Sequence, residues 1–526
     1  MRCSFIFAAA VAIASCVSCS ASDSPQTTAE MPVAVASPVP SPETVATPQP
    51  QTPTPEAIYK QALDAAQSAV TISQAAVAPQ DWLIVGRQWQ RAIALLQSLP
   101  ESYPQKDQAH QKIAEYQRNL TYAEQEAGQK IPPLDVQLAT ATPPPPPSPK
   151  SSQPTATQTT QATPKNQNFF VMAGGGWPKI NEIALEKNVL YFQRTLQALG
   201  HSLPEVSLYF ANGNSNQATV RYIDPNSRQE LFKAPQIPHL DGASTIENFR
   251  QVMQGLAQSP KPTFFYFTGH GAKNDNNVDN NSMIMWDNGR INVQDFARSL
   301  DQLPQNLPFV AMMAQCYSGS FANMIYEGGN PNNNVALKTR CGFFATIKTQ
   351  TSVGCTPEVN EADYRDYSSS FFAGLSGITR TGDRAPSADY NQDGKISYQE
   401  AHAFAKIDNQ STDLPVSTSE VWLQKQTTES QRQAIWNRPI NEILQTARPE
   451  QAYVVRSLAQ RLGVNLQQAY AATPNPGGNN TQQAYWTRLG MELINIAQEQ
   501  EIRTQGNSNL VAILNRLLDC EDDFWQ

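Results

Sequence analysis

The sequence predicts an α/β domain over residues 168–410, with a mostly parallel sheet, helices on both faces and helical regions on either side. Two observations support this prediction. Short apolar runs typical of buried strands alternate with segments whose apolar residues recur at the spacing of amphipathic helices. Apolar runs without polar interruptions are typical of strands that helices cover on both faces.

The first 19 residues have the pattern of an export signal. Arg2 precedes an apolar stretch at residues 5–14, which is too short to span a bilayer as a permanent helix. The segment IASC at residues 13–16 resembles the lipobox of bacterial lipoproteins and predicts lipidation at Cys16. A simple secretory signal cleaved nearby is the alternative. Both interpretations predict an exported, periplasmic or cell-surface protein, and the lipobox adds contact with the membrane through a lipid anchor only.

Two tracts rich in Pro, Thr, Ser and Gln, residues 20–54 and 131–167, predict disordered linkers. They contain too little apolar surface to offset the entropy of ordering the chain. Between them, residues 55–130 carry three runs of helical periodicity, and Pro79 and Pro104 stand near the starts of the second and third runs. We expect a small helical domain that acts as a spacer; binding of a protein partner is the alternative.

The charge distribution argues against two classes of partner. The chain has 38 Lys and Arg and 46 Asp and Glu, which gives a formal net charge of −8. Binding to nucleic acid or to an anionic membrane surface requires clustered basic residues that neutralise phosphates. The sequence contains no such cluster, so we expect no nucleic-acid partner.

Within the α/β domain, predicted strands and helices follow one another along the chain. The predicted strands are NFFVMAGGG (168–176), EVSLYFANG (205–213), PTFFYFTGHG (262–271) and LPFVAMMAQCYSGSF (307–321), and the helices include NEIALEKNVLYFQRTLQALG (181–200) and STIENFRQVMQGLAQ (244–258). In such sheets, catalytic and ligand-binding groups lie just beyond the carboxyl ends of the strands.

His270 and Cys316 both follow apolar strand-like runs, so we expect their side chains to lie side by side on neighbouring strands. A cysteine nucleophile needs a nearby base, and histidine is the usual one near neutral pH. Gly271 and Gly319 would leave room for a substrate backbone. Backbone N–H groups beside the thiol and the imidazole would stabilise the oxyanion of a tetrahedral intermediate.

The segments YFTGHGAKN (266–274) and VAMMAQCYSGSF (310–321) resemble the caspase, metacaspase and legumain group of cysteine peptidases. In this group a His-Gly and a Cys close successive strands, roughly 50 residues apart in caspases. The resemblance covers residues 168–410 and implies a caspase-like fold that cleaves protein or peptide substrates without an organic cofactor. It implies His270 as general base, Cys316 as nucleophile, and the backbone amides of Gly271 and Cys316 as the oxyanion hole.

The resemblance has one departure and leaves two alternatives. Two residues before the cysteine, the related families carry Asp, Glu or Gln, whereas this chain has Ala314, so no preference for basic or Asn residues is carried over. The expected activity is that of an endopeptidase working through a thioester intermediate. The alternatives are a catalytically silent caspase-like scaffold and a calcium-dependent binding module.

The segment DYNQDGKISYQE at residues 389–400 matches the calcium-binding loop of an EF-hand. The ligand positions hold Asp389, Asn391, Asp393, the Lys395 carbonyl, Ser397 and Glu400. Gly394 occupies the sharp turn, and an amphipathic segment follows the loop, but no helix pattern precedes it. We expect a lone EF-hand-like loop that holds structural calcium; a surface turn without metal is the alternative.

The remaining cysteines and the C-terminal region carry weaker signals. Of seven cysteines, three lie in the export region, and Cys341 and Cys355 flank one loop, which predicts either a disulfide or two free buried thiols. Cys316 should stay unpaired if it is the nucleophile.

Residues 411–526 have helical periodicity and no chemical motif, so we expect a helical region that packs on the α/β domain or binds a partner.

Overall fold

The computed structural model describes residues 54–75, 79–131, 167–258, 261–304, 307–336, 338–475 and 477–525. The predicted export signal, Cys16 and the two predicted linkers, apart from a few end residues, lie outside the described residues. None of the helices in the described ranges has the length and apolar character needed to cross a membrane.

The chain begins with three helices and continues into the α/β domain and a helical C-terminal region. The first helices are α1 (Pro55–Ala75), α2 (Pro79–Gln97) and α3 (Lys106–Glu126). The α/β domain contains β1 (Asn168–Gly174), α4 (Ile183–Ala198), β2 (Val206–Phe210), β3 (Val220–Ile223), β4 (Glu230–Lys233), α5 (Ile246–Gln258), β5 (Thr263–Gly269), β6 (Gly271–Ala272), β7 (Ser282–Met285), β8 (Gly289–Asn292), α6 (Val293–Asp301), β9 (Phe309–Ala314), β10 (Arg340–Phe344), α7 (Tyr367–Ser376), α8 (Tyr398–Asp408) and β11 (Val416–Ser417). The C-terminal helices are α9 (Thr418–Gln426), α10 (Glu429–Trp436), α11 (Ile440–Ile443), α12 (Pro449–Leu462), α13 (Asn480–Gln505) and α14 (Ser508–Glu521).

The main sheet has six strands in the order β11-β10-β9-β5-β1-β2. All neighbouring strands are parallel except β10 and β11, which are antiparallel. The predicted α/β class with a mostly parallel sheet is therefore confirmed. Strands β5 and β9 are neighbours, and Thr268 pairs with Ala314 at their carboxyl ends.

Helices cover both faces of this sheet, as the continuous apolar strands predict. On one face Phe169 and Tyr266 pack in a core shared with α4, α7 and α8. On the other face Phe170 and Phe267 pack in a core shared with α5 and α6. Alternate residues of each strand thus serve opposite faces, because successive side chains of a strand point to opposite sides of the sheet.

The three N-terminal helices form a small apolar core of their own. Helix α1 contacts α4 of the α/β domain. Arg87 of α2 forms an ion pair with Asp383 in the segment between α7 and α8. Helix α4 runs away from the carboxyl edge of the sheet, and residues of α1 and α2 line one cavity with Arg194 and Ala198 near its end.

The C-terminal helices pack against the same α/β core. Trp525 lies in an aromatic cluster with Phe169, Phe264 and Phe372. Helix α14 contacts β10. Trp525 therefore forms part of the apolar layer on one face of the sheet.

A disulfide joins Cys341 of β10 to Cys520 of α14. The predicted bridge between Cys341 and Cys355 is wrong, and so is the alternative of two free thiols, since Cys355 is free but Cys341 is not. The physical reason is the position of each cysteine relative to β10. Cys341 lies inside β10 and faces the core layer that contains Cys520, whereas Cys355 lies in the loop beyond the carboxyl end of β10.

Candidate active site

His270 and Cys316 lie at the same edge of the sheet. His270 directly follows β5, and Cys316 lies two residues beyond the end of β9. Because β5 and β9 are adjacent and parallel, with Thr268 opposite Ala314, both residues emerge at the carboxyl edge. Sequence reasoning predicts this shared edge correctly.

The glycine after His270 allows two backbone segments to pack closely. A Cβ atom added at Gly271 would overlap the carbonyl oxygen of Cys316. A Cβ atom at Gly319 would lie 2.7 Å from the carbonyl oxygen of Thr346. The space beside both glycines is thus filled by the chain itself. The expectation that these glycines leave room for a substrate backbone is wrong, because neighbouring strand-end loops occupy that room.

Cys316 precedes a left-handed residue and is covered by the loop that follows β10. Tyr317 has φ 60° and ψ 18°, a backbone region that few residues other than glycine adopt. The Cys316 Sγ lies 3.3 Å from the backbone nitrogen of Ser352 and 3.6 Å from its carbonyl oxygen. Burial raises the pKa of the Cys316 thiol, and the Ser352 N–H only partly opposes that effect. The thiol is therefore protonated at neutral pH in this conformation.

Asp413 holds the loop over Cys316. Its carboxylate accepts hydrogen bonds from the Ser352 hydroxyl at 2.9 Å and from the Val353 N–H at 3.0 Å. Burial raises the pKa of Asp413 to about 7, against the opposing effect of these two bonds. The Asp413 carboxyl therefore changes its charge close to neutral pH.

Helix α13 fixes the backbone that carries Asp413. The Arg488 guanidinium donates to the carbonyl oxygen of Asp413 at 2.6 Å and to that of Ser411 at 3.0 Å. Arg488 is almost fully buried. The C-terminal region thus supports the candidate site through Asp413 and Ser352.

Glu182, which directly precedes α4, holds the imidazole of His270. Its Oε2 lies 2.9 Å from His270 Nε2, and its Oε1 accepts from Arg221 Nη2 at 2.7 Å. Burial acts to raise the pKa of Glu182, but its hydrogen bonds to His270 and Arg221 contribute to an overall lowering of that pKa. An ionised carboxylate only accepts hydrogen bonds, so Nε2 of His270 carries the hydrogen. Nδ1 is then the nitrogen available to accept a proton.

Cys355 lies beside the same imidazole. Ligand atoms of Glu182, His270 and Cys355 all lie within 4.8 Å of one another. The Cys355 Sγ lies 3.7 Å from the carbonyl oxygen of Gly269, and burial raises the pKa of this thiol well above its ordinary value. Among the hydrogen bonds of the described residues, none joins His270 to Cys316. His270 therefore has Glu182 as its partner, and Cys316 has Ser352.

Sequence reasoning missed four residues of this site: Glu182, Ser352, Cys355 and Asp413. Glu182 stands within the polar positions of an amphipathic helix pattern, and Ser352 and Asp413 lie in loops without a motif. Of the four, only Cys355 stands out in the sequence, because it is a cysteine, and its position there predicts a disulfide and not a place beside His270. The four residues come together through loops that converge at one edge of the sheet.

The predicted calcium loop turns at Gly394, whose φ of +83° requires the freedom of glycine. The Asp389 carboxylate accepts from the backbone nitrogens of Asp393 and Gly394, each at 3.1 Å. Glu400 accepts from the backbone nitrogen of Tyr390 at 2.8 Å, so its carboxylate points back into the loop. Residues before the loop form no adjoining helix, and α8 begins at Tyr398, within the last three positions of the loop.

The donor set of this loop fits a hard cation, since every ligand position offers oxygen. In this conformation the Glu400 carboxylate bonds to the N–H groups of Tyr390, Asn391 and Ser397. Calcium binding would exchange these bonds for bonds to the ion. Asn391, Asp393 and Lys395 are exposed, so the loop can accept an ion from solvent.

No protein-family model matches the chain, and no curated protein matches it. Its function is therefore inferred from the residues and geometry of the site.

Proposed function

We propose that the chain is an exported cysteine endopeptidase of caspase-like fold in which Cys316 is the nucleophile and His270 the general base. One observation carries the proposal: His270 and Cys316 follow two adjacent parallel strands and emerge at one edge of the sheet. The close packing of Gly271 on the Cys316 carbonyl gives a physical reason for the His-Gly sequence. Adjacent strand ends are where catalytic groups of such sheets gather.

In the proposed reaction, the Cys316 sulfur attacks the carbonyl carbon of the scissile peptide bond, and the thiol proton passes to Nδ1 of His270. The backbone amides of Gly271 and Cys316 donate hydrogen bonds to the resulting oxyanion. The carbon–nitrogen bond then breaks, and His270 gives the proton to the leaving amine, which leaves a thioester on Cys316. A water molecule, deprotonated by His270, hydrolyses the thioester and restores the thiol.

Glu182 is a positioning residue in this mechanism. By accepting the hydrogen of Nε2, its carboxylate selects the tautomer with a free lone pair on Nδ1. The same bond orients the imidazole, as a third group does in other nucleophile–base pairs. Arg221 holds the carboxylate from the other side.

The thiol has to leave Ser352 before it reacts. In the described conformation Cys316 Sγ contacts Ser352, and burial keeps it protonated. Catalytic hydrogen bonds are often absent or long before substrate binds, so a substrate that displaces the Ser352 contact would bring the thiol to His270. If that rearrangement does not occur, the chain is a catalytically silent scaffold, which is the second candidate function.

Labelling with an electrophilic peptide ketone and mass mapping of the modified residue tests the proposal. We expect label on Cys316, its loss in Cys316→Ala and its strong reduction in His270→Ala. Cys355→Ala is the matched control, because Cys355 is a second thiol beside His270. Label on Cys355 would assign the nucleophile to that residue instead. No labelling of either thiol, and no hydrolysis of a peptide library, would favour the scaffold.

Two further proposals follow from the sequence. We propose that the loop at residues 389–400 binds structural calcium through Asp389, Asn391, Asp393, the Lys395 carbonyl, Ser397 and Glu400. The alternative, a calcium-dependent binding module, would leave Cys316 dispensable for function.

We also propose acylation at Cys16 and anchoring outside the cytoplasm. Mass analysis of the mature N-terminus would reject this second proposal if it found an unmodified residue beyond Cys19.

A further inference from the structure

A compact set of three metal-binding side chains lies beside the candidate nucleophile. Glu182 precedes α4, His270 follows β5, and Cys355 lies in the loop after β10. Their ligand atoms all lie within 4.8 Å of one another. These three residues, which we name the Glu-His-Cys trio, lie far apart in the sequence and meet at the carboxyl edge of the sheet.

The ligand types of the trio suit zinc. Zn²⁺ binds imidazole nitrogen, cysteine sulfur and carboxylate oxygen, usually with four ligands in a tetrahedron. Calcium and magnesium prefer oxygen ligands and would not select a thiol. Ionised Glu182 and deprotonated Cys355 together carry two negative charges, which balance the charge of the ion in a partly buried place. A fourth position remains for water or another ligand.

The trio needs only a small adjustment to hold the ion. Zinc–ligand bonds of about 2.0–2.3 Å in a tetrahedron set the ligand atoms roughly 3.3–3.6 Å apart. Glu182 Oε2 and His270 Nε2 are 2.9 Å apart, and one ligand atom from each of the three residues lies within 4.8 Å of the other two. To reach the zinc distances, the separation of Glu182 Oε2 and His270 Nε2 would have to increase by about 0.4 Å, and Cys355 Sγ would have to move closer to both atoms. Rotation about side-chain bonds supplies shifts of this size. Arg221 holds the other oxygen of Glu182, so Oε2 is the one that would bind the ion.

Zinc binding to the trio releases one proton to solvent. The Cys355 thiol releases its proton to solvent and binds as a thiolate. The hydrogen on His270 Nε2 leaves that nitrogen, which donates its lone pair to zinc, and a hydrogen occupies Nδ1 in the neutral imidazole. Nδ1 then has no lone pair with which to take the proton of Cys316. A bound zinc ion would therefore remove the general base.

We propose that the Glu-His-Cys trio binds Zn²⁺ and that bound Zn²⁺ inhibits the peptidase by occupying His270. The binding of zinc does not depend on the proposed function, whereas the inhibition rests on it. Solvent can reach the trio, since the His270 side chain is 21% exposed.

Metal binding is tested on chelator-stripped full-length protein, with Cys316 and Cys355 as free thiols and the disulfide between Cys341 and Cys520 intact, by competition with a chromophoric zinc chelator and by cobalt substitution. We expect one tightly bound zinc ion and, with cobalt, a thiolate-to-metal charge-transfer absorption. Cys355→Ser should remove that absorption, and both Cys355→Ser and Glu182→Gln should weaken zinc binding by more than about tenfold, since even partners outside the ligand shell cost 10–100-fold. Cys316→Ala, which removes the neighbouring thiol, should leave both signals in place.

The site assignment fails if the absorption persists in Cys355→Ser and disappears in Cys316→Ala, or if neither substitution in the trio changes the zinc affinity. Circular dichroism of each metal-free variant checks its folding, and Cys355→Ala replaces Cys355→Ser if the latter does not fold. Hydrolysis tests the inhibition separately: one equivalent of zinc should abolish peptide cleavage by the parent protein, and Cys355→Ser should need more than about ten times as much. Cleavage that persists at saturating zinc would overturn the inhibition, whereas zinc binding by a protein without any peptidase activity would overturn only the proposed function.

Discussion

Removing the disulfide between Cys341 and Cys520 should strongly destabilise the fold. The two cysteines are 179 residues apart in sequence, so the bridge closes a long loop of the unfolded chain. In the chain-entropy description, a loop of this length contributes about 5 kcal/mol to the free energy of unfolding. Both sulfur atoms are also buried, so their removal leaves small voids that add to the loss.

The bridge also holds the end of the chain on the sheet. Cys520 belongs to α14, and Trp525, five residues further on, packs against Phe169 and Phe264. Without the bridge, the core on this face depends on noncovalent contacts alone to keep α14 in place. We therefore expect α14 and the following residues to open before the rest of the sheet.

Equilibrium unfolding in urea measures the effect. Cys520→Ala and the double substitution Cys341→Ala/Cys520→Ala should lower the denaturant midpoint by a similar large amount, because either change removes the bridge. Cys355→Ala should stay near the parent midpoint, since Cys355 is not bridged. Unchanged midpoints for the Cys520 variants, or peptide mapping that links Cys341 to Cys355, would refute the reasoning.

Three further predictions concern the site and the calcium loop. Gly271→Ala should lower the melting temperature sharply, since the added Cβ overlaps the Cys316 carbonyl, whereas Gly255→Ala, with nothing within 4 Å of its Cβ, should gain up to about 1 kcal/mol in free energy of unfolding. The pKa of Asp413 rises from 3.8 to about 7 on folding, so between these pH values the folded chain keeps a proton that the unfolded chain loses. The free energy of unfolding should therefore fall as pH rises from 4 to 7. Urea unfolding from pH 4 to 8 should show a smaller dependence of this free energy on pH in Asp413→Asn. Calcium at a hundred times its Kd should add about 2.7 kcal/mol to the free energy of unfolding, and Glu400→Gln should lose most of this gain; a melting temperature of the demetallated parent that calcium does not raise would exclude the site.

The α/β class and the shared edge of His270 and Cys316 could be predicted from sequence because both depend on local pattern. An apolar run marks each buried strand, and the residue after it marks the strand's end. The turn at Gly394 was predictable for the same reason, since positions within one loop of twelve residues determine it. Sequence reasoning identifies Gly271 but not the physical reason for a glycine there, because the atom that would clash with a side chain is the Cys316 carbonyl oxygen, beyond the end of β9.

The sequence by itself determined the alternation of strands and helices, the place of His270 and Cys316 at strand ends, and the oxygen-bearing side chains of the 389–400 loop. Only the tertiary structure decided their partners: Glu182 for His270, Ser352 for Cys316 and Cys520 for Cys341. The physical reason lies in the range of the interactions. Strand and helix patterns repeat over a few residues and can be read along the chain, whereas hydrogen bonds, ion pairs and disulfides form between atoms that are close in space. Glu182 and His270 are 88 residues apart, and no periodicity connects them until the sheet brings the ends of its strands together.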